Sequence, residues 1–318
     1  MADRMDVDEE TITPRPNRKV HKPALLFRAG CVWTRSDWSC AYDAVFMVFF
    51  TIYWQSSPGW RSDWRQQSPE WTIQLADHFD FLLEALDSPE YSPERLSMLF
   101  SCLRDQLRDH LSNYDPQKFP RRGQISASAS AILELLFRSI HGPGIEQHFS
   151  CAGCGAVSQT SRHFPYLSLP IFLEDYRHET DPRFVPLETL LTRFIKSLTT
   201  CSSLCGICHG PTQVQSLTMI NLPWIWFETQ CNDNMSPSPT LLIELSGQDL
   251  IYELYSTIYL GENHFTTRMR GPSGTWWNHD GMWKFGIPRC DPSVQTATDL
   301  LHNGRRYAYL IIYRHSDH

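Results

Sequence analysis

Two short cysteine pairs constrain this chain more than any other feature. Cys151-Ala-Gly-Cys154 and Cys205-Gly-Ile-Cys208 are C-x2-C knuckles, each with a glycine in its turn, and fifty residues lie between them. A tight turn lets two thiolates face one ion, and four thiolates suit zinc in a closed tetrahedral site. One structural zinc per chain is therefore expected on Cys151, Cys154, Cys205 and Cys208. Their separation exceeds the about 15 to 20 residues of a local finger. The intervening segment has to leave the site and return, so the ion clamps two strand fingers. Cys201 and His209 flank the second knuckle and read as bystanders. A closed four-sulfur site has no open coordination position, so it holds structure and performs no chemistry. Chemistry has to be sought elsewhere.

The other totals narrow the class. With 318 residues, 42% of them hydrophobic and 13% aromatic, the chain can build one large core or two ordinary ones. A net charge of −7 offers no general attraction to nucleic acid or to an anionic membrane, so neither partner is expected. The longest apolar run, Ala44 to Trp54, is too short to span a bilayer. The first ten residues are polar and acidic, unlike a secretory leader, which predicts an intracellular protein, cytoplasmic or nuclear. In that compartment ten cysteines point to metal binding or catalysis rather than disulfides.

Residues 1–23 are charged, proline-containing and poor in large apolar side chains, and read as a flexible tail. A polar turn from Thr34 to Ser39 then leads into an apolar stretch that predicts a helix from Cys40, with Asp37 or Ser39 as its cap. Helical spacing recurs over Trp71–Leu86, Ser92–Leu111 and Ala127–Ile140. After His148 the pattern changes to strands: Tyr166–Pro170, Val214–Ile220, Leu241–Leu245, Tyr252–Leu260, His264–Arg270 and Tyr307–Tyr313. One helix, Leu187–Leu198, interrupts them, and Ser236–Pro239 and Pro288–Thr298 read as loops. Helices first and sheet second predict an α+β fold.

A nucleophilic cysteine needs partial exposure, positive potential and a base. Cys40 opens a helix, where the dipole lowers a thiol pKa and backbone N–H groups can face a developing oxyanion. The stretch from His264 through the turn Gly271-Pro-Ser-Gly274 to Asp280 reads as a hairpin. A histidine that starts one strand and an acid that ends its partner come together when the turn closes. One imidazole nitrogen then meets the acid and the other is left for the thiol. Strand alternation sends His279 to the opposite face from Asp280.

The order of these features resembles the ubiquitin-specific protease family: a Cys box at a helix start, a two-knuckle zinc finger, a His box with a trailing acid, and an aromatic closing strand. Phe164-Pro-Tyr-Leu-Ser-Leu-Pro170 and Tyr307-Ala-Tyr-Leu-Ile-Ile-Tyr313 are similar to two of the family's strands, so the likeness covers about residues 24 to 315. It implies a papain-like cysteine protease with helical thumb, β-rich palm and zinc-bearing fingers, in one domain over 24–318 with fingers at about 145–225. Carried over by motif position, Cys40 is the nucleophile, His264 the base and Asp280 the orienting acid. The implied activity is thiol-dependent isopeptidase cleavage of ubiquitin or a ubiquitin-like modifier by a monomer. Trp276 and Trp277 would help wall the channel for the modifier's tail.

Departures from the pattern qualify the substrate. Where the family carries an oxyanion-donating asparagine, this chain has Arg35, followed by Ser36, Asp37, Trp38 and Ser39. Backbone N–H groups are expected to serve, with Arg35 and Ser39 as side-chain candidates. Asp43 stands where the family often has asparagine. The turn Trp33–Cys40 is closer to the SUMO-isopeptidase branch. The helix that grips ubiquitin's arginine-rich tail in typical members here reads Gln124-Ile-Ser-Ala-Ser-Ala-Ser-Ala-Ile-Leu-Glu134, without the usual carboxylates. Losing them removes charge-assisted bonds to arginine, leaving Glu134 or an acid from another loop to compensate. A SUMO-specific isopeptidase and an inactive modifier-binding module on the same fold are the alternatives. A zinc-ribbon nucleic-acid binder would leave Cys40 and the hairpin unexplained.

Overall fold

A computed structural model describes residues 27–67, 70–123, 127–138, 145–162, 167–170, 185–200, 204–219, 224–229, 235–245 and 248–316. Residues 1–23, Gln124 to Ser126, Phe164 to Tyr166 and Cys201 lie outside them. Six helices are described: α1 (Cys40–Gln55), α2 (Pro58–Gln67), α3 (Glu70–Asp87), α4 (Pro93–Tyr114), α5 (Ala129–Arg138) and α6 (Leu187–Thr200). Helix α1 is apolar on every side, and each residue from Cys40 to Tyr53 is buried. Such a helix has to be enclosed. Around it α3, α4 and α5 pack with Phe79, Leu96, Phe100, Ile132 and Leu136. Helix α4 starts cleanly, because Ser92 accepts a hydrogen bond from the Arg95 N–H and Pro93 takes the first helical position.

The strands are β1 (Ile145–Cys151), β2 (Val157–Arg162), β3 (Leu167–Pro170), β4 (Val185–Pro186), β5 (Thr212–Met219), β6 (Trp224–Glu228) and β7 (Met235–Ser236). They continue with β8 (Thr240–Leu245), β9 (Gln248–Gly261), β10 (His264–Arg270), β11 (Trp276–His279), β12 (Arg289–Cys290), β13 (His302–Asn303) and β14 (Arg306–His315). The main sheet runs β12-β11-β10-β9-β14-β6-β3, with β8 on β9 and β13 on β14. Its central strands are buried on both faces, which is why Trp224-Ile-Trp-Phe227 and Leu310-Ile-Ile-Tyr313 are unbroken apolar runs. Alternation divides them. Trp224, Trp226, Leu310 and Ile312 face the α1 side, whereas Ile225, Phe227, Ile311 and Tyr313 pack with Leu187, Leu190 and Leu191 of α6.

A second, three-stranded sheet in the order β2-β1-β5 carries the cysteine knuckles. The mixed helix-and-sheet architecture is the α+β class expected. The predicted helices over Trp71–Leu86, Ser92–Leu111 and Leu187–Leu198 are present as Glu70–Asp87, Pro93–Tyr114 and Leu187–Thr200. The region of Ser236–Pro239 and Pro288–Thr298 is mostly loop but contributes the two-residue strands β7 and β12. Helix α2 and strands β1 and β2 had no clear sequence signal. Strand β2 is Val-Ser-Gln-Thr-Ser-Arg, so it has no apolar alternation to read.

Candidate functional site

Two separate constellations hold the chemistry. At the knuckles, Cys151 ends β1 and Cys208 precedes β5, and β1 pairs with β5 so that Cys151 stands opposite Thr212. The two turns repeat one hydrogen-bond pattern. The Gly155 N–H donates to the Cys151 carbonyl at 2.9 Å, and the His209 N–H donates to the Cys205 carbonyl at 2.9 Å. Gly155 and His209 both adopt positive φ there, 69° and 58°. The sulfurs of Cys151 and Cys208 are 3.4 Å apart, those of Cys154 and Cys205 are 3.6 Å apart, and all four lie within 4.8 Å of one another. A tetrahedron with Zn–S bonds of about 2.3 Å has edges of about 3.8 Å, so the four residues fit one structural zinc. Among the described residues His209 is not part of the cluster.

The second constellation joins the two ends of the chain. Strand β10 follows a two-residue turn, Glu262-Asn263, whose φ values of 54° and 59° suit a tight antiparallel hairpin. His264 is therefore the first residue of its strand, paired with Gly261. Strand β11 returns with His279 opposite Thr267, and Asp280 steps off its end toward His264. The His264 Nε2 lies 2.9 Å from Asp280 Oδ1. His264 Nδ1 is buried and makes no hydrogen bond among the described residues. Burial by itself would raise the Asp280 pKa, but the His264 bond and the Met282 N–H, 3.0 Å from Oδ1, hold it below the ordinary carboxylate value. Asp280 Oδ2 also lies 3.7 Å from Arg306.

Helix α1, which begins with Cys40, packs along β10. The segment before it is stitched to the loop after Asp280. The Trp33 N–H donates to the Gly281 carbonyl at 3.0 Å, and the Trp33 ring stands edge-on to His264 at 5.3 Å. His279 turns the other way, as alternation requires, and its Nε2 lies 3.1 Å from the Cys31 carbonyl. Burial pushes the His279 pKa down to about 4. Glycine is needed at two contacts. A Cβ on Gly281 would come within 2.9 Å of the Trp33 backbone, and one on Gly286, where φ is 68°, within 2.0 Å of the Cys31 carbonyl. Cys40 is 1% and His264 4% exposed, whereas the Asp280 side chain keeps 21% of its surface accessible.

Behind the turn that precedes Cys40 stands a polar network with no separate sequence signature. The Thr34 N–H donates to Ser39 Oγ at 3.1 Å, and Ser39 Oγ donates to Asp43 Oδ2 at 2.9 Å. Arg104 pairs with the other Asp43 oxygen, both side chains being 2% exposed. Arg108, four residues on along α4, donates to the Asp37 carbonyl and covers the Tyr42 ring. The signal was available in hindsight: a carboxylate inside an apolar helix demands a cation.

The remaining residues singled out from sequence fall as follows. Ser39 occupies the helix-cap position but makes no capping bond, and its hydroxyl proton goes to Asp43, so it has none to give an oxyanion. Arg35 is exposed in the short turn Arg35–Asp37. Trp276 and Trp277 pair with Arg270 and Met269 at the turn end of the hairpin. Six residues along β10 place them roughly 20 Å from His264, and Trp277 stacks on Phe27 at 4.3 Å. They wall the far end of the hairpin, not the corner with His264. Glu134 lies 3.6 Å from Lys118.

The chain superposes on a chain of the SAGA Ubp8/Sgf11/Sus1/Sgf73 DUB module bound to ubiquitin aldehyde, with a TM-score of 0.53 and 13% identity over 90% of this chain and 69% of that one. The fold is that of a ubiquitin-specific protease. The Ubp8-Sgf11-Sgf73-Sus1 SAGA DUB module gives the same TM-score and identity, covering 94% of this chain and 70% of that one. No family model and no curated protein matches the sequence. The single-chain state expected from sequence finds no support in these neighbours, which are four-protein modules.

Proposed function

We propose that the chain is a thiol-dependent isopeptidase that removes ubiquitin or a ubiquitin-like modifier from proteins. The observation that carries this reading is the His264–Asp280 contact: Nε2 is held by the carboxylate, while the buried Nδ1 is left for a thiol. In this reading His264 Nδ1 takes the Cys40 proton, and the thiolate attacks the carbonyl of the isopeptide bond. Asp280 fixes the tautomer and stabilises the imidazolium. The imidazolium then protonates the departing lysine amine, and a water deprotonated by the same nitrogen hydrolyses the thioester. Backbone N–H groups in the first turn of α1 stabilise the oxyanion, because the Ser39 hydroxyl is already committed.

The β2-β1-β5 sheet would serve as the fingers, with its zinc as a clamp and no part in the chemistry. The fold neighbour bound to ubiquitin aldehyde favours ubiquitin as the modifier. The Cys-box turn and the carboxylate-free stretch before Glu134 favour SUMO. The test is a panel of ubiquitin, SUMO and related modifiers carrying C-terminal propargyl warheads, with Cys40→Ala as control. A Cys40-dependent adduct with at least one modifier is expected, and absence of any adduct would remove the enzymatic reading.

A further inference from the structure

A cavity of about 430 Å³ lies where the end of α1, the turn after β10 and the neighbouring parts of β9 and β14 meet. Its volume falls in the range of small-molecule sites. Arg270 is the last residue of β10, and six residues of strand place it about 20 Å from His264. The cavity is therefore separate from the Cys40 corner. Arg270, Arg314 and Glu253 form its charged lining, whereas Trp54, Tyr255 and Pro272 give it an apolar wall.

The two cations are satisfied unequally. Arg314 and Glu253 are cross-strand neighbours on β14 and β9, yet Glu253 turns to Arg270, whose Nη1 donates to Oε2 at 3.1 Å. Arg314 keeps the Tyr255 ring, whose centre lies 5.3 Å from the guanidinium carbon. Among the described residues its side chain makes no ion pair and no hydrogen bond, and its Nε is buried. A guanidinium drawn partly out of water with no anion beside it has lost hydration without compensation. The aromatic contact meanwhile fixes its position before any ligand arrives. Two guanidiniums against one carboxylate leave the cavity with one net positive charge. The negative end of the α1 dipole does not cancel it, because Arg61 already donates to the Tyr53 and Trp54 carbonyls there.

We propose that this cavity is a second ligand site, which binds a small organic carboxylate. The carboxylate accepts from the Arg314 fork with Arg270 as the second cation, and the ligand's apolar body lies against Trp54 and Pro272. One net positive charge matches a monoanion. A dianion such as a phosphate monoester would set excess negative charge against Glu253, so it binds more weakly.

The test titrates the full chain, at constant ionic strength, with three ligands that share one ring: benzoate, phenyl phosphate and benzamide. The indole N–H signal of Trp54, assigned with Trp54→Phe, reports occupancy by NMR. Benzoate should saturate the shift, phenyl phosphate should bind more weakly, and benzamide should leave it unmoved. Arg314→Gln should raise the benzoate Kd about tenfold or more, and Arg314→Lys, which keeps the charge but not the fork, by several-fold. Glu253→Gln should act in the opposite direction and tighten phenyl phosphate more than benzoate. Arg305→Gln, which removes a cation with 88% of its side chain exposed, should change neither. Thermal midpoints without ligand check that each variant is folded, and Arg314→Lys decides the matter if Arg314→Gln is not. A benzoate shift that never saturates, an equal response to benzamide, a wild-type Kd in the folded Arg314 variant, or looser binding of both anions to Glu253→Gln would overturn the site. Tighter binding of phenyl phosphate than of benzoate to the wild type would overturn the carboxylate as its ligand.

Discussion

The knuckle site and the Cys40–His264–Asp280 corner each gather residues from distant parts of the chain, yet they are assembled in different ways. In the knuckles each half is local: two cysteines three residues apart, one turn, one repeated hydrogen bond. Only a strand pair, β1 with β5, is needed to bring the halves together. At the other site the halves are unlike and more than two hundred residues apart. The segments that carry them are joined where the Trp33 N–H donates to the Gly281 carbonyl and Gly281 packs against Trp33 and Asp43. An ion organises one site, and packing organises the other.

That contrast can be broken by removing the ion. Chelation or Cys205→Ser should cost the knuckle sheet on the order of 10 kcal/mol of metal-linked folding free energy. Hydrogen exchange should rise in β1 and β5, while the amides of α1 and β10 stay protected. Metal analysis should give one zinc per chain before treatment. Exchange rising equally in both regions would merge the two sites into one cooperative unit.

The second expected effect falls on the packed corner alone. Asp280→Asn should lower kcat by about 10² to 10⁴, because the imidazole loses its orienting acceptor, and leave zinc content unchanged. Next comes Arg104→Met, which strands the Asp43 carboxylate inside the helical layer. Urea unfolding should show a loss of about 3 to 5 kcal/mol, largely recovered when Asp43→Leu is added. No recovery in the double variant would mean that Arg104 acts through its other neighbours.

The smallest effect is a pH dependence centred on His279. Its pKa is pushed down to about 4 in the folded chain from an ordinary value of 6.5. Between those values the unfolded chain binds a proton that the folded chain does not, so stability falls as pH falls, by up to about 1.4 kcal/mol per pH unit. Below about pH 4 both states are protonated and this slope ends. His279→Gln should flatten the pH profile of urea midpoints between pH 6.5 and 4, and an unchanged slope would assign the titration to another group.

Much of the fold was legible because its signals are periodic. Buried α1, the helical spacing of α3 and α4, and the apolar stretches of β9 and β14 read directly from side-chain pattern. Strands β1 and β2 did not: β1 alternates in burial, but its inward residues Gln147, Phe149 and Cys151 include one large apolar side chain, and β2 has no apolar alternation in its sequence. The pairing of His264 with Asp280 was legible because a hairpin reduces a spatial question to a count along two strands. Trp276 and Trp277 sit at the turn end of the same hairpin, so register carries them away from the histidine.

By itself the sequence determined the four sulfurs, the helix that starts at Cys40 and the hairpin that pairs His264 with Asp280, since each depends on spacing within one or two elements. Tertiary structure alone decided the rest. It gave the Ser39 proton to Asp43 and set Arg104 behind the turn that precedes Cys40. It also brought Glu228 to the hydroxyls of Ser130 and Tyr309. Those contacts join elements whose separation in the chain carries no periodic signal, and a buried polar group reveals its partner only when packing shows what stands beside it.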